Sequence, residues 1–109
     1  MTSSLKDKRC AACKPGTPAL TQQQIGLLIA EVSGWKQQDG QIAKTFNFKD
    51  YHHTLAFVNA VAWVAHREDH HPDMEVGYNR CTVRYSTHSV GGLSENDFIC
   101  AAKVDALGA

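Results

Sequence analysis

This chain of 109 residues has no net charge, because eleven basic residues balance eleven acidic ones. A balanced chain creates no broad field toward polyanions, so we expect neither nucleic acid nor a membrane surface as a partner. The sequence also lacks any apolar run near the roughly 20 residues that cross a bilayer. Residues 1–8 lack the apolar core of a secretory signal, so we expect a cytoplasmic protein.

Cysteine is scarce, with four residues in the whole chain. Cys10 and Cys13 form a Cys-x-x-Cys pair, but the second such pair that completes many zinc sites is missing. His70 and His71 could supply two more ligands, yet neighbouring side chains on extended backbone point in opposite directions. We therefore expect no metal site and, without an export signal, reduced thiols.

Length and composition fit one globular domain, since 43% of the residues are apolar and 20% are charged. We interpret residues 1–18 as a loosely ordered N-terminal segment, because Pro15, Gly16 and Pro18 interrupt regular structure there. Residues 19–109 would then form the single domain.

Local signals predict a helix and a hairpin in the first half of the chain. Thr21 begins a Thr-x-x-Gln capping-box pattern ahead of an apolar stripe, which is typical of a helix start. The Asp39-Gly40 pair favours the tight turn of a β-hairpin. The second strand, residues 41–48, alternates, and we place Lys44 near the face opposite the apolar side chains.

A second helix is predicted from Tyr51 to about Glu68, with Asp50 as its N-cap. Its apolar positions recur at intervals of three and four, and we place the buried stripe on Tyr51, Leu55, Val58, Ala62 and Ala65. Three more apolar residues widen that stripe: Phe57, Val61 and Val64. We expect His52 and His53, in the first turn, to face solvent without a partner.

The remaining chain predicts a second hairpin, residues 73–78 and 81–87, and a last helix to about Leu107. Ser94 and Asp97 have capping-box spacing at the start of that helix. The predicted fold class is α+β: a four-stranded antiparallel sheet from two hairpins, with three helices packed on one face. Its two exposed edge strands could pair with a second copy, or they could simply be short and protected by charge.

Histidine is concentrated where the second helix ends. His70 and His71 directly precede Pro72, which pushes the chain out of helical conformation, and His88 ends the last strand. Imidazole donates and accepts protons near pH 7, so a cluster of three in one cleft suggests proton-transfer chemistry. The alternative is that surface histidines are simply frequent, since the chain contains six.

The spacing around these histidines resembles the signature of the pterin-4a-carbinolamine dehydratases: His66-x3-His70-His71-Pro72-x5-Tyr78-x9-His88-x8-Asp97. The turn Gly91-Gly92-Leu93-Ser94 is similar to the family's entry into the last helix, and the resemblance covers roughly residues 20–107. The chain departs from the family at Met74, where an aromatic residue is common, and at His66, where an acidic residue or lysine is commoner.

The resemblance implies an enzyme that removes water from a 4a-hydroxytetrahydropterin. The product is a quinonoid dihydropterin, and the reaction recycles tetrahydrobiopterin after aromatic amino acid hydroxylation without cofactor or metal. The resemblance assigns His70, His71 and His88 to acid/base catalysis. It assigns the following residues to substrate binding: Asp73, Met74, Tyr78, Ser86, Thr87 and Asp97. For Asp97, orientation of a histidine and capping of the last helix are alternative roles.

A binding role is the alternative function. Members of the resembled family also act as dimerisation cofactors of a transcription factor, and a regulatory partnership with phenylalanine hydroxylase is a further possibility. The three retained histidines favour the enzyme, because binding alone would not require them. We expect a homo-dimer or a homo-tetramer.

Overall fold

A computed structural model describes residues 5–14 and 16–108. After a short turn of helix at Leu5–Asp7, the elements are α1 (Gln22–Ile29), β1 (Lys36–Gln38), β2 (Gln41–Asn47), α2 (Tyr51–Glu68), β3 (Asp73–Val76), β4 (Arg80–Tyr85) and α3 (Glu95–Asp105). The four strands form one antiparallel sheet in the order β1-β2-β4-β3. The predicted α+β fold is confirmed. Within the described residues, no helix combines the length and the apolar character needed to cross a bilayer.

Local signals explain where the elements begin. The Thr21 hydroxyl accepts the Gln24 N–H at 3.2 Å, and the Gln24 side chain accepts the Thr21 N–H at 2.8 Å, which completes the predicted capping box. Asp39 and Gly40 both have positive φ angles, 49° and 77°, as a tight hairpin turn of this type requires.

The core lies between the central strands and the helices. Ile42 on β2 pairs with Tyr85 on β4, and Phe46 pairs with Cys81, so the inward side chains of both strands form one layer. All four are buried, and α3 covers them with a run of buried residues: Phe98, Ile99, Cys100, Ala101 and Val104. Burial of this apolar layer is the main stabilising contribution.

The predicted position of Lys44 is wrong. Lys44 has the same strand parity as Ile42 and Phe46, so it emerges on the helix-facing side of the sheet. Its ammonium group donates to the Ser33 carbonyl at 2.8 Å and to the Asp105 carboxylate at 2.9 Å. A long side chain can leave the core at its margin while its stem packs against apolar neighbours.

The bounds predicted for α2 are confirmed, and the predicted stripe is confirmed in part: Phe57, Val61, Val64 and Ala65 are buried, but Tyr51 and Leu55 are not. The buried face carries Thr54, Phe57, Val61, Val64, Ala65 and Glu68. Tyr51 and Leu55, placed at the centre of the stripe, are 50% and 36% exposed. Two apolar rows lie side by side on this helix, and helical periodicity alone does not decide which row meets the sheet.

One histidine in the first turn of α2 has a partner, contrary to expectation. The Nδ1 atom of His53 lies 2.6 Å from Oδ1 of Asp50, the N-cap residue. The same carboxylate accepts the backbone N–H of His53 at 2.9 Å. These contacts, the backbone bond first, hold the pKa of Asp50 below its ordinary value.

The N-terminal residues 5–14, here called the strap, lie across α2 and α3. Leu5 is buried in the core, and the N–H of Cys10 donates to Oε1 of Glu68 at 2.8 Å. Ala11 and Asn96 exchange two hydrogen bonds, of 3.1 and 2.7 Å. Composition did not predict these contacts. The division into residues 1–18 and 19–109 stays a prediction, and residues 1–4, Pro15 and Ala109 lie outside the described residues.

The identity of the buried face of α2 can be tested with two truncations. Phe57→Ala should lower the free energy of unfolding by about 3–5 kcal/mol, because it removes a buried ring from the core. Leu55→Ala, two residues away on the exposed row, should cost about 0.5 kcal/mol. Urea denaturation at one fixed protein concentration measures both. Equal losses in the two variants would contradict the assignment.

Candidate active site

His70 is held at the exit of α2 by the backbone and by two side chains. Asp69 adopts a left-handed conformation, with φ 51°, and turns the chain, after which the His70 N–H donates to the Ala65 carbonyl at 3.1 Å. The imidazole is 13% exposed and stacks on Tyr85 at 5.8 Å between centroids and 7° between planes. Its Nε2 atom lies 2.6 Å from Oδ1 of Asp97.

Asp97 is fully buried, and both of its oxygens have partners. Oδ2 accepts the Thr87 hydroxyl at 2.8 Å and the Ser94 N–H at 2.9 Å, while the Thr87 and Ser94 hydroxyls lie 2.7 Å apart. A carboxylate can be buried when donors surround it in this way. Asp97 therefore holds His70 and also completes the capping box of α3, so its contacts fit both of the roles considered for it.

The Asp97 contact decides which nitrogen of His70 remains available. An ionised carboxylate only accepts hydrogen bonds, so Nε2 carries the proton that it shares with Asp97. Within residues 5–14 and 16–108, Nδ1 makes no hydrogen bond to the protein. Nδ1 is thus the atom at which this imidazole can gain or lose a proton.

The structure does not place His70 and His88 in one cleft of this chain. His70 lines a cavity of about 250 Å³, together with residues of the strap and with Thr87. His88, in a short turn of helix after β4, is exposed and lines a neighbouring cavity of about 330 Å³ with Ser86, Gly91 and, again, Thr87. Thr87 therefore separates two adjacent cavities, each of which carries one histidine.

The other predicted site residues are spread along the second hairpin. His71 and Asp73 are exposed, and Met74 is half-buried against the core. Tyr78 is 66% exposed and stacks on Tyr51 at 6.3 Å, beside the first turn of α2. The helix is 18 residues long, so its two ends are separated by about 25 Å. Within this chain, Tyr78 is not brought to His70.

Tyr85 is a part of the site that the sequence analysis did not identify. Tyr85 supports the His70 ring, and within the described residues its fully buried hydroxyl has no hydrogen-bond partner. Burial, followed by the nearby Cys100 and Cys10 thiols, raises the pKa of Tyr85 above its usual range. Strand alternation predicted a half-buried strand here, but not that Tyr85 would pack under an imidazole.

Glu68 lines the His70 cavity from the last turn of α2. Burial alone would raise the pKa of this carboxyl, but the Cys10 N–H and the Lys103 and Arg9 charges hold it below its ordinary value. Across the described part of the chain, no three histidine, cysteine or acidic side chains are grouped so that they could hold a metal ion.

Comparisons with known proteins point to one family. A family model described as Pterin 4 alpha carbinolamine dehydratase matches residues 18–107. A protein of Nitrosomonas eutropha, provisionally named a pterin-4-alpha-carbinolamine dehydratase, is 58% identical over 104 residues, which are 94% of this chain and 92% of the relative.

Two solved structures are also similar. A transcriptional coactivator/pterin dehydratase of Brucella melitensis has a TM-score of 0.79 and 32% identity, over 84% of this chain and 99% of its own. A pterin dehydratase-like protein identified as a RuBisCO assembly factor in the alpha-carboxysome has a TM-score of 0.57 and 26% identity, over 69% of this chain and 87% of its own.

The hydrogen bonds around Asp97, here called the Asp97 network, predict that substitutions at two neighbouring residues differ in their effect on stability. Thr87→Val should lower the free energy of unfolding by about 1–3 kcal/mol, because the buried carboxylate loses a donor. Ser86→Ala, one position earlier and outside that network, should stay within about 0.5 kcal/mol. Chemical denaturation checks both variants, and a loss in Ser86→Ala as large as that in Thr87→Val would refute the network's role.

Proposed function

This chain belongs to the pterin 4 alpha carbinolamine dehydratase family, a family of hydro-lyases, and from that premise we propose that it dehydrates a 4a-hydroxytetrahydropterin. The product is a quinonoid dihydropterin. The observation that carries the proposal is the 2.6 Å contact between His70 and the fully buried Asp97, at the edge of a cavity. A histidine oriented by a buried carboxylate is a common arrangement for proton transfer.

The reaction requires two proton movements. One proton is delivered to the 4a-hydroxyl, which leaves as water, and one is removed from a ring nitrogen, so the substrate loses the elements of H₂O. Groups whose pKa lies near the ambient pH perform both steps efficiently, and each step typically contributes about 10²–10⁴-fold. We assign the two proton transfers to His70 and His88, with either one as the acid. We propose that His71 holds the pterin and takes part in proton transfer.

Thr87 explains how two adjacent cavities can serve one substrate. We propose that a flat bicyclic ring bridges the two cavities, with His70 on one side and His88 on the other, because the cavities share the lining residue Thr87. Ser86 lies beside His88 in its cavity, and we propose that it contacts the ring. Thr87 and Asp97 are buried, so we assign them to positioning His70 rather than to direct binding.

The position of Asp73 and Met74, directly after the histidine pair on β3, supports a role in the wall around the substrate. We propose that the activity recycles tetrahydrobiopterin after an aromatic amino acid hydroxylase has used it, and that this hydroxylase is a partner of the chain. The protein is expected to work in the cytoplasm as a homo-dimer or homo-tetramer. The proposed chemistry needs neither a metal ion nor an organic cofactor.

The assignment of two histidines predicts specific kinetic losses. His70→Ala and His88→Ala should each lower kcat by about 10²-fold or more, and the double variant should lose less than the product of the two. Stopped-flow decay of authentic carbinolamine measures the rates, and circular dichroism verifies folding. His52→Ala is the matched control, because this exposed histidine lies at the opposite end of α2; its rate should stay within about twofold.

Three outcomes would contradict this assignment. Unchanged rates in both single variants would exclude proton transfer by these histidines. A tenfold loss in His52→Ala would place the site elsewhere. Loss of activity on exhaustive chelation, with recovery only after zinc is added, would overturn the metal-free mechanism.

A second candidate function is a binding or regulatory module, and one surface favours it. Of the two similar structures, one is described as a transcriptional coactivator/pterin dehydratase and the other as a RuBisCO assembly factor. In this chain, Tyr51 and Tyr78 form an exposed stacked pair, with Leu55 one helical turn further along α2. Exposed aromatic side chains that adjoin each other are typical of protein contacts.

The two candidate functions can be separated with one variant. Tyr78→Ser should leave carbinolamine dehydration within about twofold, because Tyr78 lies far from His70, and should weaken any complex with an aromatic amino acid hydroxylase by about tenfold or more. Dehydration assays and titration with a purified bacterial phenylalanine hydroxylase measure the two effects. If no complex with the hydroxylase forms, or if Tyr78→Ser binds as tightly as the original chain, this surface is not its docking site.

A further inference from the structure

Two cysteines that are 90 positions apart in the sequence lie next to each other in the fold. Sγ of Cys10, on the strap, is 3.5 Å from Sγ of Cys100, on α3. Both the backbone and the side chain of Cys10 are held in place. Its N–H donates to Glu68 at 2.8 Å, and its Sγ lies 3.7 Å from the Asn96 carbonyl. The docked strap therefore holds the Cys10 thiol against the Cys100 thiol.

Solvent reaches the two thiols unequally. Cys10 is half-buried and lines the cavity that His70 borders, whereas Cys100 is fully buried. The adjacent Cys10 thiol, and burial after it, raise the pKa of Cys100 above its usual range. A small oxidant entering the cavity therefore meets Cys10 first, because oxidation of cysteine follows thiolate character and exposure.

We propose that Cys10 and Cys100 form a redox-responsive pair, in which a hydroperoxide oxidises Cys10 and Cys100 then closes a disulfide that locks the strap onto α3. This inference does not depend on the dehydratase activity. It uses only the position of the two sulfur atoms and the access that the cavity provides.

The chemistry balances with hydrogen peroxide as the oxidant. Cys10 sulfur attacks the peroxide, an S–O bond forms as the O–O bond breaks, and the products are a sulfenic acid and one water molecule. Cys100 sulfur then displaces the sulfenic oxygen, which takes the remaining thiol proton and leaves as a second water. Two thiols and one peroxide thus give one disulfide and two waters, so the sulfurs lose the two electrons that the peroxide gains.

The geometry requires little movement. A disulfide bond is about 2.05 Å long, so two sulfurs now 3.5 Å apart must approach by roughly 1.5 Å. The bond would close a loop of about 90 residues, and cross-links that close long loops restrict the unfolded chain most. In a reducing compartment such a bond is transient, which is the behaviour of a sensor and not of a structural disulfide.

Peptide mapping tests the proposal on the complete chain. The reduced protein is treated with hydrogen peroxide, its free thiols are alkylated, and the digest is analysed by mass spectrometry. We expect the Cys10 peptide to be linked to the Cys100 peptide within one molecule, with the link reversed by dithiothreitol. Cys10→Ser should abolish the link. Cys13→Ser is the matched control, because Cys13 is a second half-buried cysteine of the same cavity, and it should keep the link.

A thermal measurement provides a second readout. Oxidised Cys13→Ser should melt roughly 5 °C or more above its reduced form, and Cys10→Ser should show no such difference. A Cys10–Cys13 disulfide as the main product, a link between two molecules, or a link that disappears in Cys13→Ser would each overturn the proposal. So would peroxide treatment that leaves Cys10 and Cys100 as free thiols.

Discussion

The buried carboxylate of Asp97 is the constraint on which the rest of the site depends. A fully buried charge is tolerated only when donors surround it, and here the donors come from three separate parts of the chain. His70 comes from the end of α2, Thr87 follows β4, and Ser94 precedes α3. If any of these elements shifts, the buried carboxylate loses one of its hydrogen-bond donors. The same requirement that assembles the fold at this point therefore also fixes the imidazole at the mouth of a cavity.

Local interactions made much of the fold predictable. The capping boxes at Thr21 and Ser94 and the hairpin turn after β1 are decided by residues a few positions apart, and each was found as predicted. The choice between the two apolar rows of α2 was not predictable, because it depends on which row meets the sheet. Phe57 rather than Leu55 is buried for that reason. The side of Lys44, by contrast, follows from its strand parity with Ile42 and Phe46, and only its contact with Asp105, 61 residues later, needs the fold.

The site was predictable to a smaller extent. The spacing pattern selected His70 and Asp97 as candidate site residues, and the fold brings them into contact. The pattern could not show that His88 lines a separate cavity. His88 lies after the end of β4, where strand alternation no longer predicts which way a side chain points. The pattern also could not show the contact of Cys10 with Cys100, which joins residues 90 positions apart through a segment whose composition suggested little order.

The two ends of α2 carry different chemistry, and this separation bears on how one chain can combine two functions. His70 follows the C-terminal end, where a polar network and a cavity meet, while the exposed pair of Tyr51 and Tyr78 lies at the N-terminal end. About 25 Å of rigid helix lies between them, as its 18 residues require. A partner bound to the tyrosines would leave the His70 cavity open, so the two proposed functions would not compete for surface.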